Sequence, residues 1–177
     1  MTLSFTLDPD LTPELRDGIV RLWADVTNAG GAVGFVPPVT PDDVLATAEK
    51  QFAGAGAGAD GPDRLLVAHD RGTGRIAGLL FFESMRFPLM EHWRMLKRVM
   101  VHPDFQGRGY GVELMSEAER TARGWGLAGL RLTARGGLGL EAFYRRCGYQ
   151  EVGRVPGAIR VAPGDDRDDI TFWRDLA

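Results

Sequence analysis

Apolar residues recur at helical spacing in some segments of the chain and alternate with polar residues in others. This difference separates predicted helices from predicted strands. Residues 12–14 (Thr-Pro-Glu) and 40–43 (Thr-Pro-Asp-Asp) each combine a capping side chain, a proline at the first helical position and an acid in the first turn. Each segment therefore predicts the start of a helix, and the two helices are expected to end near Asn28 and Phe52.

Short runs of apolar or alternating residues between turn signals predict seven strands. They cover residues 3–7, 64–69, 75–84, 93–101, 127–133, 150–155 and 170–173. Residues 70–74 form a predicted hairpin turn between two of these strands, and the Ala/Gly-rich residues 54–61 are interpreted as a surface loop.

Two more helices are predicted, one after residue 111 and one over residues 138–147. The packed face of the first is expected to carry Val112, Met115, Ala118 and Ala122. The element order β-α-α-β-β-β-α-β-α-β-β predicts an α/β fold, with one mixed sheet that is covered by helices on both faces.

Residues 99–111 (VMVHPDFQGRGYG) join an apolar strand to the third helix through a glycine-rich turn. The N–H groups at a helix start lack partners within the helix and the helix dipole adds positive charge, so the segment predicts an anion site. Glycine lets the backbone approach a pyrophosphate closely. The segment has neither the Lys-Ser/Thr of a P-loop nor the glycine spacing of a dinucleotide fingerprint, which indicates another phosphate-bearing cofactor.

Two motifs in this chain carry a family resemblance. Residues 106–111 (QGRGYG), after a Val-x-Val-x-Pro strand, resemble the acetyl-CoA loop of the GCN5-related N-acetyltransferases (GNAT). Residues 143–149 (FYRRCGY) resemble the Phe-Tyr-x-x-x-Gly-Phe/Tyr element of the same family, and residues 28–35 (NAGGAVGF) look closest to its tabtoxin-resistance-type members. The resemblance implies a single domain over residues 1–177, with a mostly antiparallel sheet of about seven strands.

The resemblance also implies a cosubstrate, acetyl-CoA, and residues that bind it. The backbone of Val99, Met100 and Val101 would pair with the pantetheine arm like an added strand, with amides near the thioester oxygen. The residues that would hold the pyrophosphate are Gln106, Gly107, Arg108, Gly109, Tyr110 and Gly111. The Arg108 side chain would add charge there; the alternative is that only its backbone matters.

Tyr144 matches the family's general acid, which protonates the departing CoA sulfur. A phenol has a pKa of about 10 and therefore keeps a proton to give at neutral pH. The alternative role for Tyr144 is that of a packed core aromatic.

The general base is the point at which this sequence departs from its relatives. Many members carry a glutamate on the fourth strand, near Met95 here, and the tabtoxin-resistance type has an acid where this chain has Thr133. Neither side chain can take a proton from an ammonium group. Glu83, at the end of the third strand, is the first candidate to replace the base, and Glu91 and His92 are the alternatives. A water relay would remove the need for a side-chain base.

Composition and net charge argue against several classes of partner and ligand. The 177 residues carry a net charge of −3, so no basic surface indicates a nucleic acid, and no apolar run is long enough for a membrane span. The single cysteine, Cys147, cannot form an internal disulfide, and no signal peptide is apparent at the N-terminus; together these favour the cytoplasm. The three histidines lack ligand spacing, so no metal is expected.

The leading hypothesis is an acetyl-CoA-dependent N-acetyltransferase that moves an acetyl group to a small-molecule primary amine by direct attack in a ternary complex. Residues 30–35 and the hairpin of residues 81–93 would line the acceptor side, where Glu83 and Glu91 would suit a cationic amine. The alternatives are a degenerate acyl-CoA-binding regulatory module and a protein or peptide N-acetyltransferase. Dimers are common among relatives, which leaves a homodimer open.

Overall fold

A computed structural model describes residues 2–56 and 61–177 of the chain. Its centre is a seven-stranded sheet in the order β1-β2-β3-β4-β5-β7-β6. The strands are β1 (Leu3–Leu7), β2 (Arg64–Asp70), β3 (Ile76–Glu83), β4 (Trp93–Val101), β5 (Gly129–Arg135), β6 (Gln150–Ala162) and β7 (Asp165–Asp175). All neighbours pair antiparallel except β4 and β5, which run parallel. The predicted element order is confirmed.

Four helices connect the strands. They are α1 (Pro13–Asn28), α2 (Pro41–Ala55), α3 (Tyr110–Gly124) and α4 (Leu140–Arg146). The two predicted helix starts are confirmed: Thr12 Oγ1 accepts a hydrogen bond from the Leu15 N–H, and Thr40 forms a capping box with Asp43. Since α2 continues to Ala55, the predicted loop begins inside the helix, and its residues 57–60 lie outside the described residues.

Helices cover both faces of the sheet, as predicted. On one face, α1 and α2 bury Trp23, Val44 and Phe52 against Leu79 and Phe81 of β3. On the other face, α3 and α4 pack on the opposite-pointing residues of the same strands and of β5. The core on that side includes Leu80, Phe82, Leu114, Leu130 and Tyr144. Because side chains alternate along β3, this strand contributes residues to two separate hydrophobic cores.

The packed face of α3 differs from the prediction at one position. Met115, Ala118 and Ala122 are buried, but Val112 is 47% exposed and Leu114 takes its place in the core. The physical reason is that Val112, in the first turn of α3, borders a cavity instead of the core. Within the described residues, no helix combines the length and the apolar character that crossing a bilayer would need.

The β6–β7 hairpin is longer than predicted. Ion pairs between Arg154 and Asp168 and between Arg160 and Asp166, each with a shortest N–O distance of 2.7–2.8 Å, link its two strands beyond the apolar segments. Most residues in this part of β6 are exposed, and Pro156 and Gly157 interrupt the strand pattern there, so its continuation is not predicted from the sequence.

Candidate active site

Strands β4 and β5 separate part of the way along their length, and this opens the centre of the sheet. They pair only from Trp93 opposite Gly129 to Met95 opposite Arg131. The rest of β4, from Leu96 to Val101, pairs with β3 on one side but with no described strand on the other. The cleft therefore exposes one backbone edge of β4.

Two adjoining cavities occupy this cleft. The larger, which we name the loop cavity, measures about 730 Å³ and is bordered by the glycine-rich loop, the start of α3 and α4. The smaller, the sheet cavity, measures about 310 Å³ and is bordered by β4, β5 and the β6–β7 hairpin. Both are bordered by Ala32, Val33, Val99 and Tyr144, and of these only Tyr144 has a polar side chain.

The glycine-rich loop has the geometry of an anion site. Gly107 and Gly109 have φ angles of 74° and 83°, in the left-handed region that favours glycine. Gly109 precedes α3 and no side chain caps that helix, so its first N–H groups remain available to a ligand. Gly111 permits close packing of α3 on α4, because a Cβ there would lie 3.2 Å from the Phe143 ring.

The structure brings most of the predicted cofactor residues together. Those that border the loop cavity are Val99, Val101, Gln106, Gly107, Gly109, Tyr110 and Gly111. Two others lie elsewhere. The Met100 side chain is buried in the α1–α2 core, and Arg108 is outside the lining, with its guanidinium carbon 5.7 Å from the centre of the Phe105 ring. The Gln106 amide donates to the Val101 carbonyl at 2.9 Å and so holds the loop against β4.

A buried carboxylate anchors the start of α3. The Tyr110 hydroxyl donates to Asp70 Oδ1, while Asp70 Oδ2 accepts from the backbone and hydroxyl of Thr73 at 2.8 and 2.9 Å. These bonds, that of Tyr110 foremost, hold the pKa of Asp70 below its usual range. The glycine-rich loop is thereby fixed to the turn between β2 and β3.

Tyr144 lies where the two cavities meet. It projects from α4, is 6% exposed, and packs with its ring centre 5.5 Å from that of Phe172 and 6.1 Å from that of Tyr149. Burial raises the pKa of the Tyr144 phenol well above its usual value, so its hydroxyl is protonated at neutral pH. The residue can therefore act as a proton donor towards either cavity.

Arg98, which the sequence reasoning missed, has an unusual backbone. Its φ is 53°, and the β3–β4 register shifts by one residue there, which is a β-bulge. Its Nη1 donates to the Val33 carbonyl at 3.0 Å, and its guanidinium carbon lies 4.8 Å from the Trp23 ring centre. Burial lowers the pKa of the Arg98 guanidinium, and the charge of Glu83 partly offsets this. The available signal was the adjacent pair of basic residues, Lys97 and Arg98, inside a predicted central strand.

Polar side chains from four strands line the sheet cavity, and most of them were missed. They are Lys97 and Arg98 of β4, Thr133 and Arg135 of β5, Arg160 of β6 and Asp169 of β7. Strand pairing brings them together, since Arg135 lies directly opposite Asp169. Asp169 is the one carboxylate of this lining within the described residues.

None of the three predicted base candidates borders either cavity. Glu83 ends β3 opposite Met95, close enough for its charge to act on Arg98, whereas Glu91 and His92 are exposed before β4. Among the residues that the structure describes, no cluster of three or more histidine, cysteine or acidic side chains could hold a metal ion.

Comparisons with known proteins agree with this geometry. Residues 33–149 match the model of the acetyltransferase (GNAT) family. Among solved structures, a protein proposed to be a phosphinothricin N-acetyltransferase is 22% identical, with a TM-score of 0.75 over 98% of this chain and 99% of that one. The yncA protein of Salmonella typhimurium, a proposed acetyltransferase solved with acetyl-CoA, is 17% identical, with a TM-score of 0.72 over 100% and 95%.

A third structure, the ribosomal-protein-S18-alanine N-acetyltransferase of Escherichia coli, is 15% identical with a TM-score of 0.71 over 98% of this chain and 95% of that one. At such identities the likeness shows the fold, and the family match covers well over half of the chain. The chain therefore belongs to the acetyltransferase (GNAT) family and is an acetyl-CoA-dependent N-acetyltransferase.

Proposed function

We propose that this enzyme acetylates the primary amine of a small molecule, with the amine and acetyl-CoA bound at the same time. The observation that carries the proposal is that two cavities meet at one protonated phenol, Tyr144. The sheet cavity, at about 310 Å³, is at the lower end of the range of about 300–1,000 Å³ for small-ligand sites. That size suits a small amine.

The loop cavity suits acetyl-CoA in both shape and polarity. The uncapped start of α3 and the left-handed Gly107 and Gly109 offer N–H groups to a pyrophosphate. Val99 and Val101 border the cavity on the edge of β4 that faces away from β3, where a pantetheine arm can pair as an added strand. Bound acetyl-CoA supplies an activated acetyl group. The chain then has to orient the amine, remove its proton and protonate the leaving sulfur.

In the proposed reaction, the amine nitrogen forms a bond to the acetyl carbonyl carbon as the carbon–sulfur bond breaks. The Tyr144 hydroxyl gives its proton to the departing sulfur and regains one from solvent. The amine loses its proton to a carboxylate or to water. Glu83 stays the predicted base, and Asp169, which borders the sheet cavity, is a second candidate. A pH–rate profile that loses its acidic limb in Glu83→Gln or in Asp169→Asn would identify the base.

The experiment that tests the proposed function is CoA-thiol release from acetyl-CoA with a panel of amines. The panel contains amino acids, polyamines, aminoglycosides, aryl amines and short peptides. It is this broad because proteins of similar fold are named for very different acceptors. Release with small amines but not peptides supports the proposal. Release with peptides alone would favour a peptide N-acetyltransferase. Tight acetyl-CoA binding without release would favour a regulatory acyl-CoA-binding module.

A further inference from the structure

We infer that the acceptor is an amine that also carries an anionic group, such as a carboxylate, and that the basic lining of the sheet cavity recognises this group. The inference rests on the proposed function and names its substrate class. It also reverses the expectation that carboxylates would line the acceptor site, since the described lining contains four basic side chains and one acid. The basic side chains are Lys97, Arg98, Arg135 and Arg160.

The charges in and around the sheet cavity do not cancel. Arg160 is neutralised by Asp166, with N–O distances of 2.7 and 2.9 Å. Asp169 lies across the strand pair from Arg135 but forms no ion pair with it in the described part of the chain. Asp165 lies close enough to interact with Arg135 but is itself paired with Arg167. Even when Glu83, which lies outside the lining, is set against Arg98, one positive charge is left over.

Arg98 gives independent support, because its guanidinium is only partly used. The group has five N–H donors. The structure shows one of its Nη1 donors bound to the Val33 carbonyl, while Nε is buried without a hydrogen-bond partner. The Trp23 ring and the Val33 carbonyl fix the position of the group, so it is preorganised. A half-buried, fixed guanidinium at a cavity wall, with Nη donors that no protein group uses in the described residues, is suited to a carboxylate or another oxyanion.

Asp169 completes the arrangement with the opposite charge. It is half-buried on β7 and borders the same cavity as the four basic side chains. An acceptor with one anionic and one amino group can therefore place its anion against Arg98 and Lys97 and its ammonium towards Asp169. Tyr144 borders this cavity and the loop cavity, so an amine bound in this way lies beside the acetyl group.

The test compares pairs of amines that match in size but differ in charge. Each α- or ω-amino acid is paired with its carboxamide, and aminoalkyl phosphonates are compared with simple alkylamines and spermidine. We expect kcat/KM to be at least about tenfold higher for the anionic member, the order of effect of a charge-assisted hydrogen bond. Equal values within the pairs, or a preference for polyamines, would overturn the inference while leaving the proposed function intact.

Variants assign that preference to the cavity. Arg135→Gln and Lys97→Gln, on half-buried strand positions, should each reduce the acid-to-amide ratio several-fold and leave the Kd of acetyl-CoA unchanged. Arg98→Gln should reduce it most. Arg145→Gln is the matched control, because Arg145 is exposed on α4, pairs with Glu151 at 2.9 Å and borders neither cavity. An unchanged acid-to-amide ratio of kcat/KM in both Arg135→Gln and Lys97→Gln would overturn the inference. If the wild-type protein released no CoA thiol with any amine, both proposals would be overturned.

Discussion

The two cavities that meet at Tyr144 are built in different ways. The proposed anion-binding groups of the loop cavity come from the backbone of one continuous segment, residues 106–111, at the start of a helix. The sheet cavity takes its polar groups from side chains on four strands that are far apart in sequence. The first design depends on glycine and helix geometry, and the second depends on strand pairing and on charge. Substitutions should therefore separate the two functions.

The largest effect is expected at the junction of the two cavities. Tyr144→Phe should lower kcat by about 100-fold or more, because a positioned proton donor contributes about 10²–10⁴-fold. The Kd of acetyl-CoA should stay nearly the same, since only a hydroxyl is lost. CoA-thiol release and calorimetric binding check the two values.

Tyr149→Phe is the matched control for that substitution. The Tyr149 hydroxyl is buried without a partner, and the residue borders neither cavity. This variant should keep wild-type turnover and fold at least as stably, since it removes an unsatisfied polar group. Equal turnover in Tyr144→Phe and wild type would remove Tyr144 from the chemistry.

A substitution in the loop should affect the cofactor alone. Gly109→Ala places a side chain at a φ of 83°, which costs about 1–2 kcal/mol and turns the N–H groups at the start of α3 away from their present direction. We expect the Kd of acetyl-CoA to rise about tenfold, which corresponds to about 1.4 kcal/mol. The KM of the amine at saturating acetyl-CoA should be unchanged.

Gly124→Ala serves as the control for the loop substitution. Gly124 is in the same helix, has no left-handed φ and has open space where a Cβ would be added. The Gly124→Ala variant should bind acetyl-CoA with the same affinity as the wild type. If both alanine variants bound acetyl-CoA equally well, the backbone of the loop would not be the anion site.

A substitution beside Arg98 should affect the acceptor alone. An alanine Cβ at Gly34 would lie 2.4 Å from Arg98 Nη1, at a φ of 102°, so the guanidinium would have to move. Gly34→Ala should lower kcat/KM for the amine several-fold without weakening acetyl-CoA binding. Gly126→Ala also has a left-handed φ, 71°, but no atom within 4 Å of the added Cβ, and Gly126 borders neither cavity, so this variant controls for backbone strain. An identical loss in both would exclude displacement of Arg98 as the cause.

The smallest effect concerns the anchor of the loop and its dependence on pH. Since hydrogen bonds from Tyr110 and Thr73 lower the pKa of Asp70 in the folded protein, they stabilise the fold above the unfolded pKa of about 3.9. That contribution is lost as the pH falls through the folded pKa. Asp70→Asn should therefore lower Tm by a few degrees at pH 7, and the difference from wild type should shrink towards pH 3.

The exposed Asp17, on α1, provides the control for the anchor. Asp17→Asn should leave Tm unchanged at both pH values. A Tm difference between Asp70→Asn and wild type that stayed constant from pH 7 to pH 3 would contradict the assigned role of the charged Asp70.

The same contrast explains what could be predicted from the sequence. The order of elements depends on local signals, namely caps and periodicity, and it is confirmed. The closely spaced glycines lie before α3 as predicted, and their binding of the cofactor stays a prediction. The loop's anchor could not be predicted, because Asp70 and Tyr110 are 40 residues apart in the chain.

The sheet cavity was missed because its lining depends on distant pairing. The prediction ended β6 at residue 155 and began β7 at residue 170, which left Arg160 and Asp169 outside the strands. One signal was available: Ile170 and Phe172 are buried on one face of β7, so alternation alone places Asp169 on the other face. The prediction of Glu83 as the base, by contrast, depends on its place near a strand end, and a one-dimensional pattern does not show which strand ends border a cleft.

The long β6–β7 hairpin has a consequence for how such an enzyme can diverge. Its distal part is exposed, contributes little to either hydrophobic core and still provides Arg160 and Asp169 to the lining of the sheet cavity, the proposed acceptor site. Mutations can accumulate there without loss of the scaffold or of the acyl donor. Related enzymes can thus retain the same acyl donor while they change their acceptor. For engineering, the corresponding approach is to exchange this ribbon between relatives.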